Sequence, residues 1–148
     1  MFIIRTAKPS DIPQLVELLK ALIAIEADCI FDQDKHSCGL GLLLNNDMDC
    51  ILVAELLCES IVLGMCTIQT LISTAEGGRV GLLEDLIVAA DFRHQGIGRE
   101  LLAGALKWAE RQCLKRLQLL TDKNNEAALS FYEKQGWKST QLVCLRKG

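Results

Sequence analysis

An α/β (α+β) fold, with helices laid over a mixed sheet, is predicted by three features of the sequence. Apolar residues switch between helical spacing and short strand-like runs, in the order strand, helix, helix, three strands, helix, strand, helix, strand. The chain has 148 residues, 50% hydrophobic and 24% charged, which suits one well-buried core and not two ordinary domains. No repeat or low-complexity linker divides it, so a single domain over residues 1–148 is expected.

Residues 2–5 form a short strand. Ser10 is the expected N-cap of the first helix, with Asp11 in its first turn and Pro13 where a helix start tolerates proline. From Ile12 onward, Leu15, Leu18, Leu19, Leu22 and Ile23 recur at intervals of three and four, predicting an amphipathic helix to about Ile25. Residues 26–37 lose that period, and a second short helix is expected through Leu40, Leu43 and Leu44 before Asn45, Asn46 and Asp47 end it. Strands follow over residues 50–57, 61–72 and 80–89, the first two joined through Cys58, Glu59 and Ser60 and the last two through the Gly77-Gly78 turn. The third of these is apolar nearly throughout, interrupted only at Glu84 and Asp85, as in a strand buried on both faces. A helix over 98–112 is marked by Leu101, Leu102, Ala105, Leu106, Trp108 and Ala109. A strand over 114–120, a helix over 125–135 closed by Gly136, and a last strand over 142–146 complete the order.

Composition removes several classes of function. The formal net charge of −3 gives no electrostatic ground for nucleic-acid binding. The apolar stretch 61–72 is broken by Gly64, Thr67, Gln69 and Thr70, so no membrane span is expected. The first residues lack the basic and apolar regions of a secretory signal, and a soluble cytoplasmic protein is the default expectation. Seven cysteines are scattered without a C-x-x-C pair, which predicts no metal site and small core residues in the reduced state. A small-molecule partner is expected.

The stretch Arg93-His94-Gln95-Gly96-Ile97-Gly98-Arg99 lies between a predicted strand and a predicted helix. There, backbone N–H groups converge ahead of a helix N-terminus and can bind an anion. Gly96 and Gly98 admit positive φ and leave no Cβ against a phosphate; a plain strand-to-helix turn uses glycine as well. The spacing is neither a dinucleotide fingerprint nor a P-loop.

With R-x-x-G-x-G at this point in the element order, the sequence resembles the GNAT superfamily of N-acetyltransferases. A second match lies about 30 residues on, where residues 125–137 (NEAALSFYEKQGW) resemble the family's N-x-x-A-x-x-F-Y-E-K-x-G-F segment, with Trp137 in place of Phe. The resemblance is sharp over residues 84–137. It implies a mostly antiparallel central sheet, splayed at strands 4 and 5, with helices on both faces. It also implies acetyl-CoA as cosubstrate without a metal, and a homodimer as one possible assembly.

The resemblance further implies that the backbone of Leu86, Ile87 and Val88 pairs with the pantetheine arm. The N–H groups of His94, Gln95, Gly96, Ile97, Gly98 and Arg99 then hold the pyrophosphate, with Arg93 or Arg99 adding charge. Asn125, with Ala128 in the same motif, matches the pantetheine-bonding position, and an N-cap role for Asn125 stands beside that reading. Tyr132 matches the general acid that assists the leaving sulfur; a packed core tyrosine is the alternative. A phenol near pKa 10 faces a thiol near 8.5, an uphill difference of about 2 kcal/mol, which suits strong hydrogen bonding to a developing thiolate. Glu84 matches the position that receives the acceptor's proton. Direct deprotonation of an alkylammonium by a reference Glu costs roughly 8 kcal/mol, so Glu84 is expected to take the proton of an amine already attacking, through water, or to be raised by burial. Consecutive strand residues face opposite sides, so Glu84 and Asp85 do not share the site unless a bulge intervenes.

The expected acceptor is a small-molecule primary amine. Glu26, Asp28, Asp32 and Asp34 lie in the segment that, in such folds, lines the acceptor site, and a solvated acidic loop is the other reading. The short stretch beyond Gly136 leaves little chain for an elaborate pocket. Acetylation of a peptide or protein, and a non-catalytic acyl-CoA-binding regulatory module, are the alternative functions.

Overall fold

The computed structural model describes residues 1–26 and 29–148 and falls into two compact units, Met1–Gln118 and Leu119–Gly148. The first unit begins with β1 (Phe2–Thr6), followed by the 3₁₀ turn Pro9–Asp11 and helices α1 (Ile12–Ile25) and α2 (Gln33–Leu44). Strands β2 (Cys50–Leu56), β3 (Ile61–Ser73) and β4 (Gly78–Val88) come next, then α3 (Ile97–Arg111). The short strand β5 (Leu117–Leu119) leads to α4 (Glu126–Lys134) in the second unit. The sheet order is β1-β2-β3-β4-β5, antiparallel through β4, with β5 parallel to β4. Lys115 N–H to Arg79 C=O and Gly81 N–H to Arg116 C=O, both 2.8 Å, fasten the start of β4 to the chain entering β5. The mixed sheet is therefore as expected.

Alternation along β2 sorts the helices onto opposite faces. Ile51 and Val53 join Leu15, Val16, Leu18, Leu19, Leu22 and Leu40 in one apolar cluster, so α1 and α2 cover that face. Between them, Leu52 turns to α3, where a Cβ on Gly104 would lie 3.0 Å from Ile4 and 3.5 Å from Leu52. Helix α3 buries Ile97, Leu101, Leu102, Ala105, Trp108 and Ala109, while Leu106 stays half exposed on its rim. Each fully buried aliphatic side chain contributes about 1.5–3 kcal/mol, so α1 is held by its apolar stripe more than by its caps.

Several local expectations are corrected. Ser10 does not cap α1; Pro9–Asp11 is a 3₁₀ turn, and Asp11 stands at the cap position with its carboxylate turned to other donors. Helix α2 starts earlier than apolar spacing indicates because Asp32 caps it, accepting from Lys35 N–H at 3.1 Å. No strand forms over residues 142–146. Leu142, Val143 and Leu145 are exposed, and a strand pattern without a ladder partner leaves its backbone to solvent. Among the described residues no helix is long and apolar enough to cross a membrane.

The polar clasp at the edge of the first unit joins three elements. Arg5 on β1 donates to both Asp11 oxygens, at 2.7 and 3.0 Å, and to Glu55 on β2, while Lys8 N–H also donates to Asp11 at 2.9 Å. Hydrogen bonds from Arg5 hold the Asp11 carboxyl below its ordinary value against the opposing effect of burial. A depressed folded pKa contributes stability that is full above the unfolded value of about 3.9 and lost as pH falls through the folded value. Asp11→Asn should therefore lower unfolding free energy at pH 7 by about 2 kcal/mol, the worth of hydrogen bonds to a charged group. In denaturant titrations across pH, the gap between variant and parent should narrow as pH falls below the ordinary carboxylate value of about 3.9.

Candidate active site

β4 carries one residue more than β3 where the two run past each other. Thr67 pairs with Glu84 and Met65 with Ile87, so two steps on β3 face three on β4. The surplus is taken up at Asp85, whose φ is 54°. Aspartate tolerates this left-handed region better than most residues. The bulge overrides simple alternation. Glu84 shares a face with its partner Thr67, and the Thr67 hydroxyl donates to Asp85 Oδ2 at 3.2 Å. Both carboxylates thus lie on the Thr67 side of the sheet, the side of α1 and α2. The condition under which Glu84 and Asp85 can share a site is met.

Glu84 is exposed and Asp85 half-buried. Burial raises the Asp85 carboxyl above its ordinary value; the Thr67 hydrogen bond and the charge of His36 on α2 pull in the opposite direction. His36 is fixed by accepting Asp32 N–H at Nε2, 3.0 Å, and by its ring contact with Phe31 at 5.2 Å between centroids. Of the acidic segment, Asp32 is therefore committed to the start of α2, Asp34 is exposed in its first turn, and Asp28 lies outside the described residues. Sequence reasoning named Asp85 as sharing the site only if a bulge intervenes, without giving it a role, and passed over Thr67 and His36. The Glu-Asp pair in an apolar strand was the visible signal for the first, whereas the other two become neighbours of Asp85 only through the fold.

Beyond the bulge, Ala89 N–H donates to Leu63 C=O at 2.7 Å, which fixes the phase of the ladder. Ile87, two residues before, faces β3 in the same phase; Val88 and Leu86 point their backbone groups away from it. Consistent with this, the Val88 carbonyl accepts from Arg93 Nε at 3.0 Å. β5 has three residues against eleven in β4, so the far end of β4 has no full-length neighbour on that edge among the described residues.

After the 3₁₀ turn Ala90–Phe92, the chain passes through His94 at φ 63° and Gly96 at φ 85° into α3. Gly96 caps α3 without a side-chain bond, and the ladder opens with Glu100 N–H to Gly96 C=O at 3.0 Å. Helix geometry leaves the N–H groups of Ile97, Gly98 and Arg99 without an intrahelical acceptor. The buried Ile97 side chain anchors this end while His94, Gln95 and Arg99 face outward. Of the two glycines, Gly96 uses positive φ, whereas Gly98 is helical, so its contribution is a missing Cβ in the first turn. This bare, positively polarised turn fits a diphosphate. Arg93 is partly engaged with Val88, and Arg99 reaches Glu100 at 4.0 Å.

In the second unit, Asn125 caps α4, its Oδ1 accepting from Ala128 N–H at 3.1 Å. The cap role is thus filled by the side-chain oxygen, and the amide N–H₂ retains its own donor capacity. Helix α4 ends as the Gly136 signal predicts. Trp137 N–H bonds to Tyr132 C=O and Gly136 N–H to Glu133 C=O, both 3.0 Å, with Gly136 at φ 89°. This return brings the Trp137 ring edge-on to half-buried Tyr132, at 6.2 Å, with Phe131 at 5.5 Å on another side. No group of three or more metal-ligating side chains is clustered among the described residues. Buried Cys50 and Cys66 have thiols pushed upward by burial, Cys50 to about 11, which leaves them unreactive near neutral pH.

Residues 17–137 match the model of the acetyltransferase (GNAT) family. An uncharacterized N-acetyltransferase of Bacillus subtilis, YhfO, is 30% identical over 91% of this chain and 89% of its own. One from Archaeoglobus fulgidus is 33% identical over 63% of each chain, so the matched part is under two thirds of that relative. Among solved structures, a transcriptional regulator from Bacillus halodurans superposes with a TM-score of 0.88 at 22% identity, covering 100% of both chains. The aminoglycoside acetyltransferase meta-AAC0020 from an uncultured soil sample, in complex with sisomicin, gives 0.80 at 23% identity over 99% of this chain and 95% of that one. The two solved structures share the fold. With the family model matched over most of its length and a relative 30% identical over nearly all of it, the chain belongs to the GNAT acetyltransferase family.

Proposed function

We propose that this protein moves the acetyl group of acetyl-CoA directly onto the primary amine of a small molecule. The observation that carries the reading is the start of α3, where Gly96 in the left-handed region and the N–H groups of Ile97, Gly98 and Arg99 follow directly on β4. Those groups, with His94 and Gln95, hold the pyrophosphate, and the helix dipole adds roughly 0.3–1 kcal/mol. The outward-facing backbone of Val88 and Leu86, beside Ile87, takes the pantetheine arm as an added strand. Arg93 keeps the end of β4 and the turn in register through its bond to Val88. The Asn125 amide donates to the pantetheine while its oxygen caps α4 next to Ala128.

Acetyl-CoA supplies an activated thioester carbonyl. A backbone N–H at the far end of β4 steadies the oxyanion that forms as the amine attacks. Glu84, exposed on the Thr67 face, receives the proton shed by nitrogen, through water. The Tyr132 phenol hydrogen-bonds the departing sulfur. That meta-AAC0020 is an aminoglycoside acetyltransferase, together with the exposed acid Asp34, supports a small cationic amine as acceptor.

The test is acceptor-dependent release of free CoA, read by thiol titration across polyamines, aminoglycosides, amino acids and short peptides. Release with small amines is expected; release with peptides alone would overturn the acceptor class. Gly98→Asp should weaken acetyl-CoA binding at least tenfold by calorimetry, about 1.4 kcal/mol, because it sets a carboxylate against the phosphate turn. Tyr132→Phe should lower kcat by about 10²-fold, in the range of acid–base catalysis, with acetyl-CoA affinity little changed. Equal loss in both would mark a packing role. Glu84→Gln should lower kcat and flatten its rise with pH while the acceptor KM stays within a factor of two.

A further inference from the structure

We propose that Asp85 is the residue that binds a second, non-reacting amino group of the acceptor as an ammonium ion, oriented by the Thr67 hydroxyl and faced by His36. The inference rests on the small-amine reading above and adds to it a binding residue separate from the proton-receiving Glu84.

Three observations carry it. The first is the backbone. Had β4 kept strict alternation, Asp85 would point to the α3 side, where Leu83, Cys66 and Leu101 are buried among apolar neighbours. The bulge at φ 54° turns it instead to the side on which Glu84 lies. An unfavourable backbone region at a non-glycine residue is retained when the surrounding structure over-determines it, and such residues cluster at ligand sites.

The second is the partner. Thr67 is fully buried, and its hydroxyl is spent on Asp85 Oδ2 at 3.2 Å. A hydroxyl orients a carboxylate without neutralising it, unlike the Arg5 clasp on Asp11. A half-buried carboxylate with a neutral hydrogen-bond partner is stabilised by an incoming cation, and burial already raises its pKa in the absence of one.

The third is the wall opposite. The groups that face Asp85 are the Thr67 hydroxyl from β3 and the imidazole of His36 from α2. The face that α1 turns to the sheet is apolar, through Leu15, Leu18, Leu19 and Leu22. His36 Nε2 accepts from Asp32 N–H, which makes the imidazole a polar neighbour of fixed orientation. With the reacting amine at the outer Glu84 and a second amine held as an ammonium at Asp85, a polyamine or aminoglycoside, with several amines, matches that arrangement.

Steady-state kinetics on the full chain with sisomicin and with spermidine, together with calorimetry of acetyl-CoA binding, test the assignment. Asp85→Asn should raise the acceptor KM at least tenfold while acetyl-CoA affinity stays within a factor of two. Thr67→Val should raise the same KM severalfold, and Thr67→Ser should restore it. An unchanged acceptor KM in Asp85→Asn would overturn the proposal, as would parallel loss of acetyl-CoA affinity, which would mark Asp85 as only a support for the bulge. If neither amine is turned over, calorimetry of each amine added to the CoA-bound protein decides. Tighter binding by the parent than by Asp85→Asn keeps Asp85 as the amine site while the transferase reading falls; equal or absent binding removes Asp85 as well.

Discussion

The extra residue that β4 carries against β3 is the constraint on which the site in the first unit depends. Its insertion at Asp85 puts Glu84 and Asp85 on one face. It resets the phase of the strand beyond, so that Val88 presents its backbone to the open edge. The same strand then delivers the chain to Gly96, whose left-handed conformation aims the first N–H groups of α3 outward. Without the bulge the ladder to β3 would continue with opposite phase, and Glu84 and Asp85 would lie on opposite faces.

Such a bulge needs a rigid frame. The frame is the apolar packing on both faces of β2 and β3, with α1 and α2 on one side and α3 on the other. Buried Ile97, in the first turn of α3, ties the glycine turn to that core, so the polar end of the helix is held by its apolar side chain. Two carboxylates of the unit differ in their partners. Asp11 is neutralised by a bidentate arginine and staples β1 to the entry of α1, whereas Asp85 meets a neutral hydroxyl. A carboxylate with a full cationic partner is neutralised within the fold, whereas one held by a hydroxyl is oriented but not neutralised.

In the second unit, the closure of α4 explains why Gly136 and Trp137 belong to the same motif as Tyr132. The return at Gly136 bonds Trp137 N–H to the Tyr132 carbonyl and brings the indole edge-on to the phenol ring. The motif residues are thus accounted for by local geometry: an N-cap at Asn125, its donor at Ala128, and an aromatic brace behind Tyr132.

Helix and strand positions were legible because period, glycine turns and caps are local, and the order of elements followed with them. The misjudged pieces were those where a local signal had a competing partner. Ser10 has the chemistry of a cap, but Pro9–Asp11 closes a 3₁₀ turn and Asp11 takes the cap position; residues 142–146 have strand-forming side chains but no ladder. By itself the sequence determined the family motifs, the glycine turn and the candidates Glu84, Asn125 and Tyr132, since each is written in contiguous residues. The tertiary structure decided which way Asp85 points and that Thr67 and His36 meet it. Those relations depend on register between β3 and β4 and on helix packing, which join residues 18 and 49 positions apart in the chain.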